Sequence, residues 1–188
     1  MRLIALSAVF SLTAMTICAA EDPAVAAFTK NVNDYVKIRD AAKQKASNLP
    51  KDATPEQIQR AEQGMQAEIR TARANAKPGD IFTPDIQPLF RKILKDNFAG
   101  PENKGARDTA RQGNPKNELD KGEAPPAIQV NAVYPKSSPT SSVPALLLLQ
   151  LPKLPKDIEY RFNGQTLILL DSLSNIVIDY MKGAAPEL

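Results

Sequence analysis

The chain has 188 residues, with 24 Lys and Arg against 21 Asp and Glu, a single cysteine at Cys18, and neither His nor Trp. The net charge of +3 is spread along the chain without a concentrated basic patch, which argues against a nucleic-acid partner. Without His, and with Cys18 in a segment expected to be removed, a Ser-His-Asp triad, a Cys nucleophile, a His-ligated zinc and a His- or Cys-ligated haem are excluded.

Residues 1–20 read as an export signal. Arg2 supplies a positive charge, Leu3 to Ile17 is a largely apolar run, and Cys18, Ala19 and Ala20 precede Glu21-Asp22-Pro23. Cleavage after Ala20 lowers the net charge to +2. The run is short for a bilayer span, and nothing later resembles one. Lipidation at Cys18 is the competing reading, but Ile17 stands where lipoprotein signals place a small residue. A mature chain without cysteine is held by packing rather than disulfides.

From 21 to 98 the apolar spacing is helical. Val25, Phe28, Val32, Tyr35, Ala42 and Ala46 mark a helix over 23–47, with Arg39 interrupting the stripe. Thr54-Pro55-Glu56-Gln57 is a capping-box start, and Ile58, Ala61, Met65, Ile69, Ala72 and Ala76 carry a second helix to about Ala76. The two predict an antiparallel hairpin, with Glu56-Arg60 and Glu62-Gln66 on solvated outer faces. After Pro78-Gly79, with Asp80 capping a turn or pairing with Lys77, Thr83-Pro84-Asp85 opens a third helix to Phe98; Pro88 lies in its first turns.

Residues 99–142 have the Gly, Pro, Asn, Lys and Ser content of a mobile linker. Two exceptions stand out. Pro101 to Gln112 suits a short polar helix, and the alternation at Ile128, Val130, Ala132 and Tyr134 makes 127–134 a candidate fourth strand. In 143–188 an apolar segment, Ala145 to Leu151, is stopped by Pro152 and Pro155. Three strands then follow, Ile158–Asn163, Thr166–Leu170 and Asn175–Tyr180, with turns at Asn163-Gly164 and Asp171-Ser172-Leu173-Ser174.

Pairing the strands around these turns places Ile158, Tyr160, Phe162, Leu167, Leu169, Ile176, Ile178 and Tyr180 on a core face. Glu159, Arg161, Thr166, Ile168, Leu170, Val177 and Asp179 fall on the other. The expected fold is α+β: a helical hairpin and a third helix, then a three-stranded antiparallel meander covered by the third helix and 145–151. The second face is apolar enough to need cover from the linker or a partner.

Val143-Pro144, Leu151-Pro152-Lys153-Leu154-Pro155, Ile158–Gly164, Leu167–Asp171 and Ile176–Asp179 together resemble the C-terminal signature of a family of uncharacterised exported bacterial proteins. Gly79-Asp80-Ile81-Phe82-Thr83-Pro84 resembles that family's middle segment. The resemblance implies export and no particular activity. Residues 152–179 are also similar to the closing meander of periplasmic RcnB-type proteins, a likeness that implies a link to nickel and cobalt homeostasis. A chain without His offers those metals only carboxylates and carbonyls, a poor donor set, so no metal or cofactor is expected.

Carboxylate, Lys, Tyr, Ser and Thr chemistry remains. The register puts Arg161 and Asp179 on one face with Thr166 between them, either as a site for a small anion or as a cross-strand ion pair tying the meander. Glu159, Asp171 and Asp179 are the acids near the sheet that a carboxylate hydrolase would need, although Asp171 already suits a turn. No catalytic residue is assigned. The expected function is binding, of a small ligand or an envelope protein, with a hydrolase lacking His and Cys as the alternative.

Overall fold

The computed structural model describes residues 22–46, 49–115 and 126–185. The export segment and Cys18 lie outside the described residues. The elements run α1 (Pro23–Ala46), α2 (Pro55–Ala72), α3 (Gln87–Phe98), a 3-10 turn at Pro101–Asn103, α4 (Lys104–Arg111), α5 (Ala145–Leu148), β1 (Ile158–Asn163), β2 (Thr166–Asp171) and β3 (Ile176–Met181). The strands form one antiparallel sheet in the order β1-β2-β3, so the α+β meander is present. Among the described residues no helix is long and apolar enough to cross a membrane.

The capping box forms at the start of α2: the Thr54 hydroxyl accepts from the Gln57 amide at 3.4 Å, and the Gln57 side chain accepts from the Thr54 amide at 2.8 Å. α2 stops at Ala72, four residues before the expected end. Asn131 donates to the Arg73 carbonyl at 2.8 Å, and Arg73 itself is drawn into the protein interior. α3 begins at Gln87 rather than at Pro84, because residues 84–86 form a turn in which the Ile86 and Gln87 amides both bond to Thr83 O. Asp80 caps its turn, accepting from the Lys77 amide at 2.9 Å.

The main core lies between the helices and the inner face of the sheet. Phe28 of α1, Phe82 and Phe90 form a mutual ring cluster at 5.2–5.7 Å, Phe90 continues it to Tyr160 of β1 at 5.7 Å, and Phe98 meets Phe162. These five phenylalanines are fully buried. The hairpin also presents polar groups inward. Arg39, the expected interruption, is buried and bonds to Asp40 and to Lys156 O, and Gln66, expected on an outer face, is buried and donates to Ser174 O at 2.9 Å. Ile58 goes the other way and is half exposed at the loop end of the hairpin.

The β1–β2 pairing keeps the expected faces and runs from Ile158 opposite Asp171 to Asn163 opposite Thr166. The turn between them is Gly164-Gln165; only Gly164 takes a positive φ, 57°, while Asn163 stays in the strand. The β2–β3 register breaks. Leu169 faces Asp179 but Leu170 faces Val177, so Ile178 is an extra residue in β3, a β-bulge. Beyond a bulge, side chains exchange faces. Asp179 and Met181 therefore point to the helices, and Tyr180, expected in the core, joins the outer face.

Much of the expected linker is pinned to the sheet. Segment 131–134 runs along the edge of β3 through the bonds Asn131 N to Val177 O, Val177 N to Ala132 O and Tyr134 N to Asn175 O. It makes one antiparallel bridge, Val133 with Ile176, and is not a regular strand, because Asn131 adopts φ 65°. The chain then crosses the outer face, where Tyr134 is buried against Ile168, Leu170 and Val177, and reaches the opposite edge, where Ser141 bridges Phe162. The linker is thus the cover that the second face requires. Residues 116–125 lie outside the described residues.

Candidate functional site: an open strand edge beside a leucine-flanked cleft

The three expected site residues do not converge. Arg161 stands opposite Ile168 on the outer face, and its Nε and Nη2 donate to Glu159 of the same strand, the Nε at 2.9 Å. Thr166 is on the same face at the hairpin end. Asp179 is on the other side of the sheet, carried there by the bulge. It is fully buried, one oxygen accepting from the Gly79 (3.0 Å) and Tyr180 (2.8 Å) amides and the other from Ile81 (2.9 Å) and Phe82 (2.8 Å). Its role is that of an internal anchor, fixing loop 79–82 to β3.

Asp171 is likewise fully buried. It accepts from the Tyr35 hydroxyl and the Ser174 hydroxyl, both at 2.7 Å, and from the Leu173 amide, with Arg39 Nη1 at 3.9 Å. Burial, and then the Asp171 charge, push the Tyr35 hydroxyl far above the ordinary tyrosine range. Arg73 closes the layer, donating to Ile178 O at 3.0 Å and lying 5.0 Å from the centre of the Tyr35 ring; burial lowers its guanidinium pKa. Two of the three acids that a carboxylate hydrolase would draw on are therefore buried and bonded away from any cleft. Among the described residues no three metal-ligating side chains come together.

A cleft opens instead along the free edge of β1. In an antiparallel pair, alternate residues direct N–H and C=O to opposite sides. Phe162 faces outward, since its amide donates to Ser141 Oγ at 3.0 Å and its carbonyl accepts from the Ser141 amide and hydroxyl. Ile158 also faces outward, its amide bonded to Pro155 O. Tyr160 lies between them and shares their orientation, and among the described residues nothing bonds to its backbone N–H or C=O across this edge. Val143, two residues past Ser141, is where the ladder would meet Tyr160, but Pro144 turns the chain into α5.

The resulting gap is an open cleft of about 490 Å³ between β1 and the returning segment, with Val143, Leu148, Pro152 and Leu154 on one wall and Ile158 to Arg161 on the other. Pro152 accepts from the Tyr160 hydroxyl at 2.9 Å, which holds the far wall in place. Leu148, 46% exposed, lines the cleft, and in the same segment Leu146 and Leu149 are 72% and 82% exposed while Leu147 is buried. Of the expected site residues, Arg161 alone lines this cleft. Pro144 is a sequence signal for it, because it stops the ladder that Ser141 starts one step before Tyr160.

Comparison of the chain with family models, with curated proteins and with solved structures finds no match.

Proposed function

We propose that the chain is an exported, non-catalytic binding protein that accepts an extended apolar segment of an envelope partner along β1. The observation that carries this reading is the unbonded backbone of Tyr160 in a cleft lined by the exposed Leu148 together with Val143, Leu154 and Ile158. A backbone donor and acceptor on a sheet edge are matched by another backbone, and the leucines by alternating apolar side chains, which is recognition by strand addition. A cleft of this volume falls within the usual range for ligand sites. Export rests on residues 1–20 and on the resemblance of the signature segments to exported bacterial proteins.

The test is titration of the purified protein with a fluorescently labelled, blocked hexapeptide of alternating Val and Thr. Saturable binding that Leu148→Asp weakens at least tenfold supports the proposal; equal binding by both proteins removes the cleft as the site. The mass of the mature protein in the exporting cell tests the compartment. An N-terminus at Glu21 is expected, and an acylated Cys18 or a retained leader contradicts it.

A further inference from the structure

On the other flank of α3, Arg91 and Lys95 line a groove of about 450 Å³ together with Arg107 of α4, over a floor of Phe98, Ala99, Ala184 and Ala185. The charge arrangement here differs from that on the neighbouring surface. Lys92 and Lys104, on the same two helices, each have a carboxylate within 3 Å, and so do Lys30, Lys37 and Lys45. Among the described residues Arg91, Lys95 and Arg107 have no carboxylate within 4 Å, although Asp108 acts on Arg107 from a longer distance.

The two guanidinium groups are held in place. Arg91 donates to Gly183 O at 2.7 Å and Lys182 O at 3.2 Å; one nitrogen of Arg107 donates to both Phe98 O and Gly100 O at 2.6 Å. Carbonyl oxygens fix a guanidinium without cancelling its charge, and each fork keeps further N–H donors unused. Arg91 and Lys95 are also one turn apart on α3, a like-charge spacing that opposes the helix unless an anion lies between them. The negative end of the α3 dipole favours Lys95 and Arg107 at its last turn, but not Arg91 a turn earlier.

We infer that this groove binds a small multivalent oxyanion, a polycarboxylate or a phosphate, with Arg91 and Arg107 as oriented forks and Lys95 as a mobile third charge. The site is separate from the β1 cleft and shares no lining residue with it.

Isothermal titration of the purified protein with citrate and, separately, with pyrophosphate, at fixed ionic strength, tests the inference and tells the two chemistries apart. One saturable site for at least one of them is expected. Lys95→Ala, which removes an exposed side chain with no partner in the fold, is expected to weaken it about tenfold. Lys92→Ala, whose side chain pairs with Asp96 outside the groove, is expected to bind as the unmodified chain does. No saturable site, or equal losses in the two variants, overturns the inference.

Discussion

Asp179→Asn is the substitution that most sharply probes how the helices are fastened to the sheet. Each carboxylate oxygen of Asp179 accepts from two backbone amides, Gly79 and Tyr180 on one, Ile81 and Phe82 on the other. A carboxamide keeps one oxygen and replaces the other with a donor. Turned one way it strands the buried Ile81 and Phe82 amides, and turned the other way the half-buried Gly79 and Tyr180 amides; at about 1–3 kcal/mol for each stranded amide the expected loss is about 2–6 kcal/mol, toward the lower figure in the second orientation. That is a large part of the 5–15 kcal/mol or so that a domain has in total. Urea unfolding followed by far-UV circular dichroism suits a chain without Trp, and the midpoint should fall with the slope unchanged. Asp52→Asn, at an exposed turn, is the control and should stay within about 0.5 kcal/mol. If Asp179→Asn also stays within that margin, the carboxylate is not the anchor described above.

Three further outcomes are expected. Tyr35, Tyr160 and Tyr134 all have raised pKa values, through burial first. Their neutral forms favour the fold fully below the ordinary tyrosine pKa of about 10, and this contribution is lost as pH rises beyond it, because only the unfolded chain then ionises freely; urea midpoints measured from pH 8 to 11.5 should decline above pH 10, and a flat profile contradicts the assignment. Ser141→Ala leaves the Phe162 amide without its 3.0 Å acceptor at a buried edge and should cost about 1–3 kcal/mol in the same assay, whereas no change would mean that the strap does not hold that edge. Gly113 has φ 69°, and a Cβ there would lie 2.6 Å from Thr140 O, so Gly113→Ala should lower the melting temperature by at least the equivalent of about 1–3 kcal/mol; unaltered melting would show that the two segments are not in contact.

The parts of this fold that are legible in the sequence are those governed by local rules. The capping box at Thr54, the apolar stripes of α1 and α3 and the faces of β1 and β2 all follow from spacing over a few residues. The rest depends on partners distant in the chain. The bulge at Ile178 has no local mark, since Ile176-Val177-Ile178 alternates no differently from a regular strand, yet it reverses the faces of Asp179 and Tyr180. An acid read as a surface ligand thereby becomes a buried acceptor, and three of its four donors lie about a hundred residues earlier. Arg39 likewise reads as a break in a stripe, because its partners Lys156 O and Asp171 are on the far side of the fold.

The linker shows the same limit. Between 126 and 142 the described residues hold no helix and no regular strand, yet irregular backbone can still be fixed by side chains, as Tyr134, Ser141 and Asn131 do here. The candidate cleft is half legible for this reason. Pro144 marks where the ladder must stop, while the orientation of Tyr160 becomes known only from the pairing of Ser141 with Phe162.

Amide hydrogen exchange at Tyr160, measured by NMR with and without the alternating Val-Thr hexapeptide, is the most direct test of strand addition at β1. The Tyr160 amide should exchange much faster than those of Arg161 and Phe162 in the free protein, and should become protected when the peptide is bound. Protection of Tyr160 in the free protein, or peptide binding that leaves its exchange unchanged, would contradict the proposed site.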